Sequence, residues 1–173
     1  CQAGNRPGFQ RSKYQSSVEY VMKVAYRNYD LPSLVECVRR TVFNILCGND
    51  DAHLKNWSLV YRDRRNAVLS PAYDLVCTAV YFDRPQDMAL KLCGKEISAD
   101  ICLDDFRSIA DMCRVERGVI EEAVRSMIAE YGEALDMVEV PTSLTSINVR
   151  GRSLDLRPWL RDRYRRLSVS LLS

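Results

Sequence analysis

The sequence is poor in the residues that build multi-metal and redox centres. It holds one histidine, His53, which argues against a two-metal hydrolase, since such sites gather several imidazoles and carboxylates. Its seven cysteines (Cys1, Cys37, Cys47, Cys77, Cys93, Cys102, Cys113) are scattered and include no C-x-x-C pair, so zinc ribbons and thioredoxin-like motifs are disfavoured. None of its seven glycines falls in a G-x-G-x-x-G pattern, and no glycine-rich phosphate loop can be read. No apolar run approaches the roughly 18 residues that a membrane-spanning helix needs, and no signal-peptide pattern opens the chain; no membrane partner is expected. Internal repeats and low-complexity tracts are also missing.

What is there is an ordinary globular composition, 47% hydrophobic and 28% charged over 173 residues. A chain of this length can bury about 70% of the surface its unfolded form exposes, and one domain over 1–173 is expected. Most cysteines lie in apolar runs such as Asn44-Ile45-Leu46-Cys47, where a reduced thiol acts as a small hydrophobe; this points to a reducing, cytoplasmic compartment. The chain opens on Cys1 rather than Met, which suggests the middle of a longer product. Net charge is +2 but uneven: from Arg150 to Ser173 seven arginines face only Asp155 and Asp162. Strips of this kind are usually solvated helix faces, although Trp159 and Tyr164 between the arginines leave a nucleic-acid platform open.

Periodicity divides the chain further. Ser16 and Glu19 have capping-box spacing, and Val18, Val21, Met22, Ala25 and Tyr29 recur at helical intervals, predicting a helix over 17–29. Pro32, Ser33 and Glu36 mark a second helix start, continued by Leu34, Val38, Val42, Ile45 and Leu46 and stopping near Gly48. Ser58–Tyr61 and Ala67–Ser70 read as a hairpin about a polar turn at 62–66. Met88, Leu90 and Leu92 alternate as in a half-buried strand that Gly94 ends. Two helices follow, one through Phe106, Ile109, Ala110 and Cys113 with Asp104 as cap, the other through Ile120, Ala123, Val124, Met127, Ile128 and Tyr131. Residues 141–151 read as a loop, and a last helix carries Leu160, Tyr164, Leu167 and Leu171.

The chemistry concentrates in Gly48-Asn49-Asp50-Asp51-Ala52-His53-Leu54-Lys55-Asn56 and, beyond the hairpin, Ser70-Pro71-Ala72-Tyr73-Asp74. Phosphoryl transfer needs magnesium held against phosphates, a group that aligns the attacking hydroxyl, and positive charge near the transferred group. Asp51 can accept the hydroxyl proton, Lys55 can neutralise phosphate charge, and Asn56 and Asp74 supply the hard oxygens that Mg²⁺ prefers. Asp51 and Asn56 are five residues apart, the spacing of the kinase loop H-R-D-L-x-x-x-N. The hairpin between Asn56 and Asp74 returns Asp74 beside the loop.

The full string G-N-D-D-A-H-L-K-N-W-S, followed by L-S-P-A-Y-D-L, resembles the HipA family of bacterial serine/threonine kinases. Further likeness runs from Cys1-Gln2-Ala3 through Lys13-Tyr14 and along Met88–Lys95, reaching about residue 130. The resemblance implies a mainly α fold: the helical C-terminal lobe of a kinase, with a small β-hairpin carrying the metal-binding loop. It matches Asp51 to the catalytic base and Asn56 and Asp74 to the magnesium ligands of an ATP site. His53 and Lys55 fall on positions of the same loop, with Lys55 expected at phosphate and His53 holding the loop. Asp50 departs from the uncharged residue common there. The resemblance also implies a protein substrate, a toxin–antitoxin setting with a HipB-like partner, and an N-lobe upstream of Cys1. Lys13, Lys23, Lys91 and Lys95 sit in no V-A-I-K context, so this segment alone is expected to have little activity. A catalytically retired lobe serving as a binding module is the alternative, and a phosphoinositide kinase rests on fold analogy alone.

Overall fold

In the computed structural model, residues 16–61, 63–139, 146–149 and 151–173 are described. The first helix, α1 (Val18–Ala25), begins where the Ser17 hydroxyl accepts the Tyr20 N–H at 3.3 Å. The periodicity over 17–29 does not give one helix. Asn28 takes a left-handed backbone (φ 64) inside a short 3-10 turn, Arg27–Tyr29, which breaks the axis before Pro32. The next helix, α2 (Leu31–Cys47), is capped by Asp30, whose carboxylate accepts the Ser33 N–H at 3.3 Å and hydroxyl at 2.6 Å. It stops at Gly48, as its spacing suggests, with φ +78 there.

Helices α3 (Leu103–Cys113) and α4 (Arg117–Met137) complete the body, α4 lying along both α2 and α3. Their apolar stripes close a core in which Met22, Leu34, Leu46, Phe106, Ile109 and Ile120 are wholly or almost wholly buried. Asp104 does not cap α3. Cys102 is the cap position and Asp105 reaches back to its N–H at 2.8 Å while holding Lys95 Nζ at 2.7 Å; Asp104 already lies in the first turn and pairs with Arg107.

Between α2 and α3 the chain is mostly irregular. Strands β1 (Leu59–Tyr61) and β2 (Ala67–Leu69) form the expected antiparallel hairpin, with Leu59 opposite Leu69. The alternating segment 88–92 bends at Ala89 and Leu90 and forms no strand, only single bridges, Ser17 with Lys91 and Leu92 with Lys95. Its period-2 burial is real, with Leu90 and Leu92 inside. No strand runs beside it among the described residues, and positive φ at Cys93 and Gly94 turns it back.

The stretch 141–151, read as loop, contains strand β3 (Ser146–Val149) paired with β4 (Arg152–Asp155) about Gly151 (φ +82); half-buried Ile147 and Val149 alternate with exposed Ser146 and Asn148, a period-2 pattern only four residues long. The last helix, α5 (Leu156–Leu172), is capped by Asp155, lies against α2 and α4, and buries Leu167 and Leu171. No described helix is long and apolar enough to cross a membrane. The part of the family likeness that falls on Cys1 to Tyr14 lies outside the described residues.

Candidate functional site

Where α2 ends, the Gly48 and Asn49 N–H groups both donate to the Asn44 carbonyl, at 3.0 and 2.9 Å. The left-handed glycine then throws the chain across the end of the helix. Three backbone ties hold the turn: Ala79 N–H donates to the Gly48 carbonyl at 2.9 Å, Asp50 N–H to the Thr78 hydroxyl at 3.0 Å, and Ala89 N–H to the Asp50 carbonyl at 2.7 Å. Ahead of it, His53 N–H donates to the Asp51 carbonyl at 2.7 Å and Asn56 N–H to the His53 carbonyl at 2.9 Å, closing a 3-10 turn over Leu54–Asn56.

The hairpin does return Asp74 to this loop. Asn56 Nδ2 donates to Asp74 Oδ2 at 2.5 Å, and the Tyr73 hydroxyl donates to the Lys55 carbonyl at 2.7 Å. At the hairpin base the Ser58 and Ser70 hydroxyls meet at 2.9 Å. The buried Arg40 guanidinium donates to the Ser70 carbonyl at 2.8 Å and stacks 5.4 Å over the Trp57 ring. Asp74 itself has φ 57, a left-handed backbone that costs a non-glycine residue about 1–2 kcal/mol. Buried Asn49 holds it there, its Nδ2 shared between Asp74 O and Asn44 Oδ1 at 3.1 Å each. Strain maintained by neighbouring contacts is common at functional positions.

The two adjacent aspartates have different environments. Asp51 is exposed on a cleft of about 540 Å³ that Met88, Lys91 and Glu96 also line. Asp50 is only 9% exposed, with its carboxylate 3.8 Å from the Arg163 guanidinium; burial pushes its carboxyl above the usual range and Arg163 pulls it back. A base that must reach a substrate hydroxyl needs access, and only Asp51 has it in full. Lys55 is exposed on the 3-10 turn and His53 is half-buried.

Asn56 and Asp74 thus touch, whereas Asp51 lies on the neighbouring cleft, which neither of them lines. Asn56 Oδ1 is buried and accepts no hydrogen bond. An orphaned carbonyl oxygen beside a carboxylate fits Mg²⁺, which takes one or two protein oxygens and completes its shell with water and phosphate. Among the described residues no three His, Cys, Asp or Glu gather as a larger metal cage. Sequence reasoning missed Asn49, Tyr73, Thr78 and Arg163. The first two lie inside the quoted motifs and could have been singled out there; Arg163 is over a hundred residues from the loop and has no sequence signal linking it.

The family model of the HipA-like C-terminal domain matches residues 1–137. The chain belongs to this family. Among curated relatives, it is 36% identical over 98 residues to "Putative kinase Y4dM" and 31% identical over 103 residues to "Putative kinase Y4mE", both of Sinorhizobium fredii. These matches cover 57% and 59% of this chain, and 24% of each relative. The chain therefore spans about a quarter of the relatives' length. A chain in the Shewanella oneidensis MR-1 complex of HipA, HipB and operator DNA superposes with a TM-score of 0.63 at 18% identity, covering 89% of this chain and 34% of that one. At that identity the likeness is one of fold: a mainly helical lobe with small two-stranded sheets.

Proposed function

We propose that this chain is the C-terminal lobe of an ATP- and Mg²⁺-dependent serine/threonine protein kinase of the HipA type. The observation that carries the reading is the meeting of Asn56 and Asp74, with Asn56 Oδ1 buried and unsatisfied. On this reading Asn56 and Asp74 hold Mg²⁺, which when bound offsets the charge on the ATP phosphates. Asp51, open to its cleft, aligns the attacking hydroxyl and accepts its proton. Lys55 meets phosphate charge from the exposed face of the turn, and His53 fixes the loop between Asp51 and Asn56. The nucleotide pocket is completed by an upstream lobe of the same protein, and the protein works in the cytoplasm.

A protein hydroxyl is the acceptor, and a HipB-like antitoxin is the partner of a toxin–antitoxin pair; the Shewanella relative, held in one complex with HipB and operator DNA, supports that setting. A retired lobe used only for binding would share the fold but have no need of a strained Asp74 that accepts from the Asn56 amide nitrogen while the oxygen of that amide stays unsatisfied. The test is phosphoryl transfer from labelled ATP by the full-length protein. Asp51→Ala should abolish turnover and leave Mg-ATP binding largely intact, whereas Asp74→Ala should damage both. Wild-type turnover in Asp51→Ala, with loss in Asp50→Ala, would move the role of base to Asp50 and overturn the assignment.

A further inference from the structure

Of the arginines on α5, Arg163 turns inward. Its side chain is 12% exposed. Its Nε and Nη2 donate to the Ile45 carbonyl at 3.0 and 2.9 Å, and Nη2 also donates to the Ser98 hydroxyl at 3.0 Å. Ile45 is among the last four residues of α2, whose carbonyls have no partner within the helix, and a cation there also complements the negative helix end. The same guanidinium lies 3.8 Å from Asp50 Oδ1 and beside the Trp159 ring, 5.8 Å from its centre. Between these groups and the 78–81 turn sits Gly48. A Cβ there would come within 3.0 Å of Ala79 Cβ, 3.2 Å of Trp159 Cη2 and 3.3 Å of Arg163 Nε. The hinge from which the Asp50–Asp51 turn departs is enclosed on one side by α5, a helix beyond the 1–137 span of the family match.

We infer that Arg163 is a positioning residue for the loop that carries Asp51: it caps α2, balances the buried Asp50 charge and, with Trp159, closes the space around Gly48. Its hydrogen bonds go to Ile45 and Ser98 and its charge faces Asp50, so it acts on chemistry through the turn. Its catalytic consequence rests on the kinase reading; its structural consequence does not.

Two readouts separate the two. In this chain, amide hydrogen exchange over 48–52 should speed up by about ten- to a hundredfold in Arg163→Ala, the size expected for losing charge-assisted hydrogen bonds. Arg163→Lys should restore part of the protection, because an ammonium keeps the charge without the planar fork. Arg161→Ala, which removes an exposed partner of Asp136, should change nothing at 48–52. In the full-length protein, Arg163→Ala should lower kcat while KM for ATP holds, and Arg163→Lys should recover part of kcat. Unchanged exchange at 48–52, an equal effect from Arg161→Ala, or a uniform rise across the whole domain would overturn the inference. If the wild-type full-length protein transfers no phosphate, the kinase reading fails, and the exchange measurement still decides the role of Arg163.

Discussion

The helical body formed by α1 to α4 and the irregular face from Gly48 to Glu96 are held by different forces. In the body, Phe106, Leu34, Leu46 and Ile120 are removed from water along continuous stripes, and hydrophobic burial in proportion to area does most of the stabilising. On the irregular face, Tyr73, Leu75, Val76, Tyr81 and Phe82 are exposed, and order comes from single side chains that reach backbone groups: Asn49 to Asp74, Arg40 to Ser70, Tyr73 to Lys55, Thr78 to Asp50. A core distributes its stability over many contacts. A loop held by individual hydrogen bonds places a few atoms accurately and loses that placement when one donor goes.

Four substitutions or treatments sharpen this contrast. The largest effect falls on the exposed side: on the proposed kinase reading, Asp51→Ala should lower phosphoryl transfer by the full-length protein about 10²- to 10⁴-fold, the usual contribution of a general base. Its unfolding midpoint should not move, because the side chain is exposed. Phe106→Ala should do the reverse, costing about 3–5 kcal/mol in urea unfolding while Mg-ATP affinity of the folded full-length protein stays near wild type. Asn49→Ala should cost about 1–3 kcal/mol, because Asp74 O and Asn44 Oδ1 lose a donor. Unlike Phe106→Ala, it should also weaken Mg-ATP binding, measured by calorimetry; equal affinity would break the contrast.

The smallest effect is a pH dependence of the body. Burial pushes the Cys37 and Cys47 thiols from 9.0 up to about 12, so the unfolded thiols ionise first. Their contribution to stability is full below about pH 9 and falls as pH rises toward 12. Native-state alkylation at pH 8 should be slow at both positions and fast in denaturant, as read by mass spectrometry.

The two regions also differ in how far they can be read without coordinates. Burial leaves a 3.6-residue signature, and α2, α3, α4 and α5 follow the apolar spacing closely. Errors arose where one residue overrides the pattern, as Asn28 does in ending α1, or where a local polar partner decides a cap, as Asp105 does in place of Asp104. The 88–92 segment has the alternation of a strand without a neighbour to pair along it, and the 146–155 hairpin has a neighbour but only Ile147 and Val149 to mark the alternation of its first strand. At the site, the Asn56–Asp74 meeting was legible because the hairpin between them is local. Arg163 was not, since a guanidinium that caps α2 from α5 looks in sequence like any other arginine of a basic strip.

On the proposed reading, Asn56 and Asp74 form a divalent-cation site on the irregular face. The most direct test is a titration of this ¹⁵N-labelled chain with Mn²⁺, reading paramagnetic line broadening residue by residue, beside Asp74→Ala. Broadening should centre on Asn56 and Asp74, be competed by Mg²⁺ and be lost in the variant. Broadening centred on Asp87 and Glu96, or unchanged when Asp74 is replaced, would contradict it.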